Sequence, residues 1–270
     1  MPTILAGVAY WFGRRRLIAE RGRAAAPTLR AASFYAGLAT VLVALQSPVD
    51  WLALYLLSVH MVQHMLLLVV AAPLIAASTP WACFRAALDP GLRARWDRLA
   101  ELADGPGPMG RVVAVAAHPA TALVLFVANL WAWHVPAAYD LTLRVDPVHD
   151  LEHTLYLGIG VLYWSHAVGT SWLAAVLSPG KRLLYLACGL VSMWLLALIL
   201  IAQPTAIYAP YLAVVGTVSH LSPLTDQRVG VGLMWAVGMI PFDLAIAFAV
   251  IRLIDGDQEA QAASMAHTST

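Results

Sequence analysis

The chain has 270 residues, 61% of them hydrophobic and 11% charged, against about 25% charged in an ordinary soluble domain. This composition, with a mean hydropathy of +0.74, excludes a soluble globular domain and points to an integral protein of the lipid bilayer. The net charge of +1, with 16 Lys and Arg spread over separate segments, excludes the basic face that nucleic-acid binding needs.

Apolar stretches near the roughly 20 residues that cross a bilayer run over 3–18, 30–47, 51–78, 112–133, 150–172, 183–203 and 229–251. They predict an all-α polytopic membrane bundle of seven transmembrane helices. The first, shorter stretch runs into Arg14, Arg15 and Arg16, whose long side chains can snorkel to the interface. Because those charges follow the apolar run, it reads as an anchor and not as a cleavable signal. With the N-terminus outside and the C-terminus cytoplasmic, every Lys and Arg except Arg144 and Arg228 falls on the inner side, as the positive-inside rule demands. In bacterial terms this is the inner, cytoplasmic membrane, with the periplasm outside.

Residues 1–254 thus form one transmembrane domain with two inserts. The inner insert, 79–111, should be an amphipathic helix on the membrane surface, with Asp89 as cap, Pro90 in the first turn and Leu92, Trp96, Leu99 and Leu102 on one face. The outer insert, 204–228, is apolar and broken by prolines; it should pack as a lid over the outer mouth of the bundle. The tail, 255–270, is small and polar and reads as disordered. Two cysteines, Cys83 and Cys188, occur without any CxxC, so metal chemistry must use other ligands.

Histidines carry the functional signal. In SVHMVQHMLLLVV, His60 and His64 lie four residues apart, hence on one helix face. They sit about 13 and 20 Å in from Trp51 at 1.5 Å per residue, and Met61 and Met65 widen the patch. WHVPAAYDLTLRVDPVHDLEHTLYLG adds His134 and a second pair, His149 and His153, all in the outer half under the assigned topology. Imidazole suits copper and zinc, and thioether sulfur favours cuprous ion; two such pairs on neighbouring helices can complete a four-coordinate site. Against this stands the ordinary role of membrane histidines as interhelical hydrogen bonders and of methionines as packing. His118 and His166 reach depths similar to that of His64, and Asp243, after Pro241, could partner either of them. Asp50, Asp150, Glu152 and Asp226 are placed to orient imidazoles or attract a cation. His220 belongs to the lid.

The succession HMVQHMLLLVVAAPLIAASTP, WHVPAAYD, VHDLEHTLYLGIGVLYW and DQRVGVGLMW resembles the CtaG family of cytochrome c oxidase assembly factors, over about residues 30–252. The resemblance implies a multi-span inner-membrane protein needed to mature a haem-copper oxidase, with a proposed part in supplying its copper. It places the family's motif histidines on His60, His64, His134, His149 and His153, and its late motif on Asp226, Gln227 and Trp235. An unrelated single-span copper chaperone shares the label, but its cysteine motif is absent here. The expected activity is binding and delivery with no catalytic residue. Copper, as Cu+ or Cu2+, would be held by His60, His64, His149 and His153, with His134, Met61 or Met65 as extra ligands. It would pass to an oxidase subunit, with a periplasmic copper chaperone as candidate donor. Two other classes compete: a haem-binding redox protein using an axial pair such as His64 and His166, and a zinc-dependent intramembrane hydrolase with Glu152 or Asp243 as acid. The latter finds neither HExxH nor GxSxG.

Overall fold

The computed structural model describes residues 2–170, 177–214 and 216–268, with side chains as far as residue 255. The last two residues of the expected 150–172 segment and the side chains of the 256–270 tail, His267 among them, lie outside this description. All regular structure among the described residues is helical.

Helix α1 (Pro2–Arg21) runs antiparallel to α2 (Thr28–Gln46): the Tyr10 ring stacks on Phe34 at 4.1 Å, and the Tyr35 hydroxyl donates to the Gly7 carbonyl. The short α3 (Pro48–Ala53) starts at Ser47, whose hydroxyl accepts from Val49 N–H. Helix α4 (Leu57–Met65) continues through one π-helical turn, Leu66–Ala71, into α5 (Ala72–Ser78). Proline chemistry explains one feature of that turn. In the π register the Leu68 carbonyl would pair with the N–H of residue 73, and Pro73 has none. Trp164 fills the gap, its indole N–H donating to Leu68 O at 2.8 Å.

Helix α6 (Trp81–Ala87) packs on α1 at Gly13, where any Cβ would strike the Cys83 carbonyl; only glycine lets the helices approach so closely. Helix α7 (Pro90–Asp104) begins as expected, with Leu92 N–H donating to the Asp89 carboxylate at 2.9 Å. Leu92, Leu99 and Leu102 stay about half exposed, which leaves an apolar stripe uncovered by protein. Arg85 clamps α7 to α6 with two bonds to Asp97, of 2.5 and 2.6 Å.

Helix α8 (Pro108–Ala116) and α9 (Pro119–Trp133) form a pair bent by 56°. The break follows from Pro119, which disfavours the helical conformation at the residue before it: His118 is extended, with ψ 138. There follow α10 (Pro136–Thr142), α11 (Asp146–Ala167), α12 (Pro179–Ile201), the short α13 (Ala209–Ala213) and α14 (Pro223–Thr268). Helix α14 passes through Pro241 and carries its helix to Thr268, through a stretch whose composition reads as disordered; its Ala, Gln, Glu and Met are good helix formers once a helix leads into them.

Four stretches, Arg23–Gln46, Leu57–Ser78, Pro179–Ile201 and Pro223–Asp255, are long and apolar enough to cross a membrane, and the bent α8–α9 pair makes a fifth if taken as one span. This is fewer than the seven read from the sequence. Helices α1 and α11 have the length, 20 and 22 residues, but α1 carries three consecutive arginines and α11 carries Asp146, Asp150 and Glu152. Helix α11 lies at the centre, packed on α5, the π turn and α9, while α4 and α12 pack on α14.

Candidate metal centre

Helix α4 presents His60 and His64 toward α11. On α11, residues 149, 152, 153 and 156 recur at helical spacing and share a face. The start of α4 is held from outside its own sequence. Its cap position is Leu56, which has no group to offer, and Asp226 in the first turn of α14 does the work instead. The Asp226 carboxylate accepts from Leu57 N–H at 2.6 Å, Ser58 N–H at 3.3 Å and the Ser58 hydroxyl at 2.5 Å. A buried anion at a helix N-terminus satisfies orphan donors and complements the helix dipole.

His60, His64, Glu152 and His153 are buried, and one ligand atom from each lies within 4.8 Å of all the others. His60 Nε2 is 3.7 Å from Glu152 Oε2, and His64 Nε2 is 3.4 Å from Glu152 Oε1. Among the described residues, none of these four atoms has a hydrogen-bond partner, and neither has His153 Nε2. The His60 tautomer follows from its neighbours. The Tyr211 hydroxyl donates to Ala53 O at 2.9 Å, so it accepts from His60 Nδ1–H at 2.9 Å. With the ring neutral, the Nε2 lone pair of His60 faces the Glu152 carboxylate across 3.7 Å, two acceptors that a cation can bridge. His134 is arranged alike, with Nδ1–H donating to Leu130 O at 2.7 Å and Nε2 buried without a partner among the described residues. Fixing one ring nitrogen this way is how proteins prepare the other as a metal ligand.

Buried acceptors left facing one another cost several kcal/mol unless a cation sits among them. A tetrahedral ion with bonds of about 2.0–2.1 Å sets its ligands about 3.3 Å apart. Separations of 3.4 to 4.8 Å thus need up to about 1.5 Å of contraction, within the reach of side-chain torsions. Tyrosines wall the cluster: Tyr156 stacks on His64 at 4.3 Å, Tyr139 lies 5.0 Å from His60, and the Tyr208 ring lies tilted against Tyr139 at 4.1 Å.

The remaining candidates fall elsewhere. His149 is half-buried at the edge, its ring 4.2 Å from His153 and 5.3 Å from His60; Glu152, expected to orient ligands, takes the inner place instead. Helical geometry explains the exchange: His149 stands one turn nearer the surface, whereas Glu152 shares His153's level. The signal was present as the spacing His-x-x-Glu-His, which sets a carboxylate between two imidazoles on one face. Met61 and Met65 point away, since one step along a helix turns the side chain by 100°. Met61 Cγ lies against Gly230, and Met65 Sδ against Gly238 beside Met193.

Asp50 accepts from Gln63 Nε2 at 2.7 Å. His118 is exposed at the α8–α9 break, where Nδ1 accepts from Ala120 N–H. His166 lies beside Ala117, about 20 Å along α11 from His153 at helical rise, so it and His64 cannot flank one haem iron. Asp243 is exposed on α14 and partners neither histidine. His220 is exposed on the lid, and Trp235 packs against Trp194 with rings 6.5 Å apart. Gln227 ties the lid down, accepting from Ile207 N–H at 3.0 Å and donating to Leu200 O at 3.2 Å.

An all-helical membrane protein with a buried imidazole–carboxylate cluster between two helices is thus defined. The family model for the cytochrome c oxidase caa3 assembly factor (Caa3_CtaG) matches residues 8–255. The chain belongs to that family. No curated protein and no solved structure matches it.

Proposed function

We propose that the protein binds copper in the His60, His64, Glu152 and His153 cluster, with His134 in reserve, and supplies it to a haem-copper oxidase during assembly in the bacterial inner membrane. The observation that carries this reading is the set of facing, unpartnered acceptors on α4 and α11. Membership in an oxidase assembly family makes copper the natural cargo, because such oxidases need it. Three imidazoles and a carboxylate accept Cu2+ or Zn2+ readily. The arginine asymmetry supports an N-terminus outside and a C-terminus inside, with α1 and α11 added to the apolar spans to make seven. This puts the cluster in the outer half of the membrane. The partners are then a copper-receiving oxidase subunit and a periplasmic copper donor.

Metal analysis of the detergent-purified chain, read with its visible spectrum, tests the reading. Copper near one per chain, lost in His64→Ala, supports it. Stoichiometric zinc with full oxidase copper in cells carrying that variant would replace it with a zinc site, and a Soret band would replace it with haem. In cells, His60→Ala or His64→Ala should lower oxidase activity and oxidase copper together.

A further inference from the structure

His60, His64, Glu152 and His153 are 0 to 5% exposed, so an ion needs a route to them. The face under the 204–228 lid is closed. Tyr139, Tyr208 and Tyr211 cover it at 0 to 5% exposure, Tyr211 is bonded to both His60 and Ala53, and Gln227 holds the strap that bears Tyr208 and Tyr211. The side of the bundle is open. A mostly apolar cleft of about 1110 Å³ runs along α11 against α1, α2, α3, α5 and α6, and its lining includes Asp50, Asp146, His149, Asp150, His153 and Thr154. His153 is the member of the four-residue cluster that lines it, and its Nε2 is buried without a partner among the described residues.

We propose that the cluster exchanges its ion sideways through this cleft, with His149 as the relay that receives the ion at the acidic mouth and passes it to His153. This rests on the metal-binding reading above. Asp50, Asp146 and Asp150, grouped near the start of α11 in an otherwise apolar cleft, attract cations to that end of it. His149 Nε2 has no hydrogen-bond partner among the described residues, and its ring lies 4.2 Å from His153 and 5.3 Å from His60. An ion can gain one imidazole before losing another, through a five-coordinate stage open to such metals. The step is ligand exchange: no bond in the protein forms or breaks, and no electron moves.

The test is stopped-flow uptake of Cu2+, and of Cu+ held reduced with ascorbate, by the full chain in detergent, followed by removal with a chelator. His149→Ala should slow uptake and removal together by about tenfold, with Kd kept within about threefold because a gate changes rates and leaves affinity. Thr154→Trp, which puts an indole in the cleft at an exposed position of α11, should do the same. Leu212→Trp, exposed on the lid, should change neither rate. A tenfold or larger loss of affinity in His149→Ala at unchanged uptake would make His149 a resident ligand and overturn the relay. Slowing by Leu212→Trp but not by Thr154→Trp would move the route to the lid. Failure of the wild-type chain to retain either ion would remove the metal-binding reading itself, and the relay with it.

Discussion

Replacing Glu152 by Gln separates a metal site from a permanent ion pair, because the two readings predict opposite signs. The Glu152 carboxylate is fully buried, 3.4 and 3.7 Å from imidazole nitrogens with which it makes no hydrogen bond. A glutamine keeps the shape, removes the buried charge and can donate from its amide to His60 or His64. The metal-free protein should therefore gain about 1–3 kcal/mol, the cost of an unsatisfied buried group. Metal binding should weaken, since an anionic ligand becomes neutral. With ion at 100 times Kd, binding stabilises the wild type by about 2.7 kcal/mol, and a hundredfold loss of affinity cuts this to about 0.4 kcal/mol. At about 2–4 °C per kcal/mol for a chain of this size, the copper-induced rise in Tm should shrink from about 5–11 °C to about 1–2 °C. Thermal melts with and without Cu2+ measure both quantities at once. If Glu152→Gln instead destabilises the metal-free protein by about 3–5 kcal/mol, the cost of breaking a buried ion pair, with the copper shift intact, then Glu152 is bonded to a protonated histidine and the cluster is structural.

Other expectations follow from the same contacts. Met61→Leu and Met65→Leu should leave copper affinity unchanged, because both side chains pack on α14, and should cost under about 1.5 kcal/mol of stability as near-isosteric changes; a loss of Cu+ affinity in isothermal titration would restore the thioethers as ligands. Asp226→Ala removes three hydrogen bonds from the start of α4 and should cost at least the roughly 1–2 kcal/mol of a lost cap, with a parallel fall in metal affinity because His60 lies within the next turn. Trp164→Phe leaves the Leu68 carbonyl unpaired and should lower stability by about 1–3 kcal/mol in chemical denaturation. On α7, the bonds from Arg85 hold the Asp97 carboxyl below the usual carboxylate range. A lowered folded-state value means that this contribution is present at neutral pH and is lost as pH falls below about 4 toward the folded value. Amide exchange in α7 should accelerate over that fall, and Asp97→Asn should show the faster exchange already at pH 7.

The helices were legible because hydrophobic run length is a direct physical signal, and the α7 cap was legible because Asp-Pro fixes a helix start. The span count was less so, since α1 and α11 pay for their length with charges that run length alone does not weigh. His60 and His64 were legible from their spacing of four on one face, and their partnership with α11 from the second pair. The choice between His149 and Glu152 was not, because both lie on that face and only depth, set by how α11 meets α4, decides which reaches inward. The break at His118 was not legible, because the proline after it interrupts a run that looks continuous in hydropathy. The methionines were read with the histidines because they are adjacent in sequence, yet adjacency on a helix means a turn of 100° and a different neighbour.

One arrangement ties the late segment of the chain to the early one. Asp226 caps α4 two and three residues before His60, and Gln227, the next residue, holds both the end of α12 and the strap that carries Tyr208 and Tyr211. Tyr211 in turn fixes the His60 tautomer by accepting from Nδ1–H. Two adjacent residues at the start of α14 thus set both the position of the helix that bears His60 and the direction in which its lone pair points. Neither touches the cluster, so their replacement should disturb the metal site without removing a ligand. That is why DQR, WHVPAAYD and the first histidine pair are tied together although far apart in the chain: Asp226 and Leu57, 169 positions apart, are directly bonded, and the Tyr208 hydroxyl donates to the His134 carbonyl at 3.2 Å.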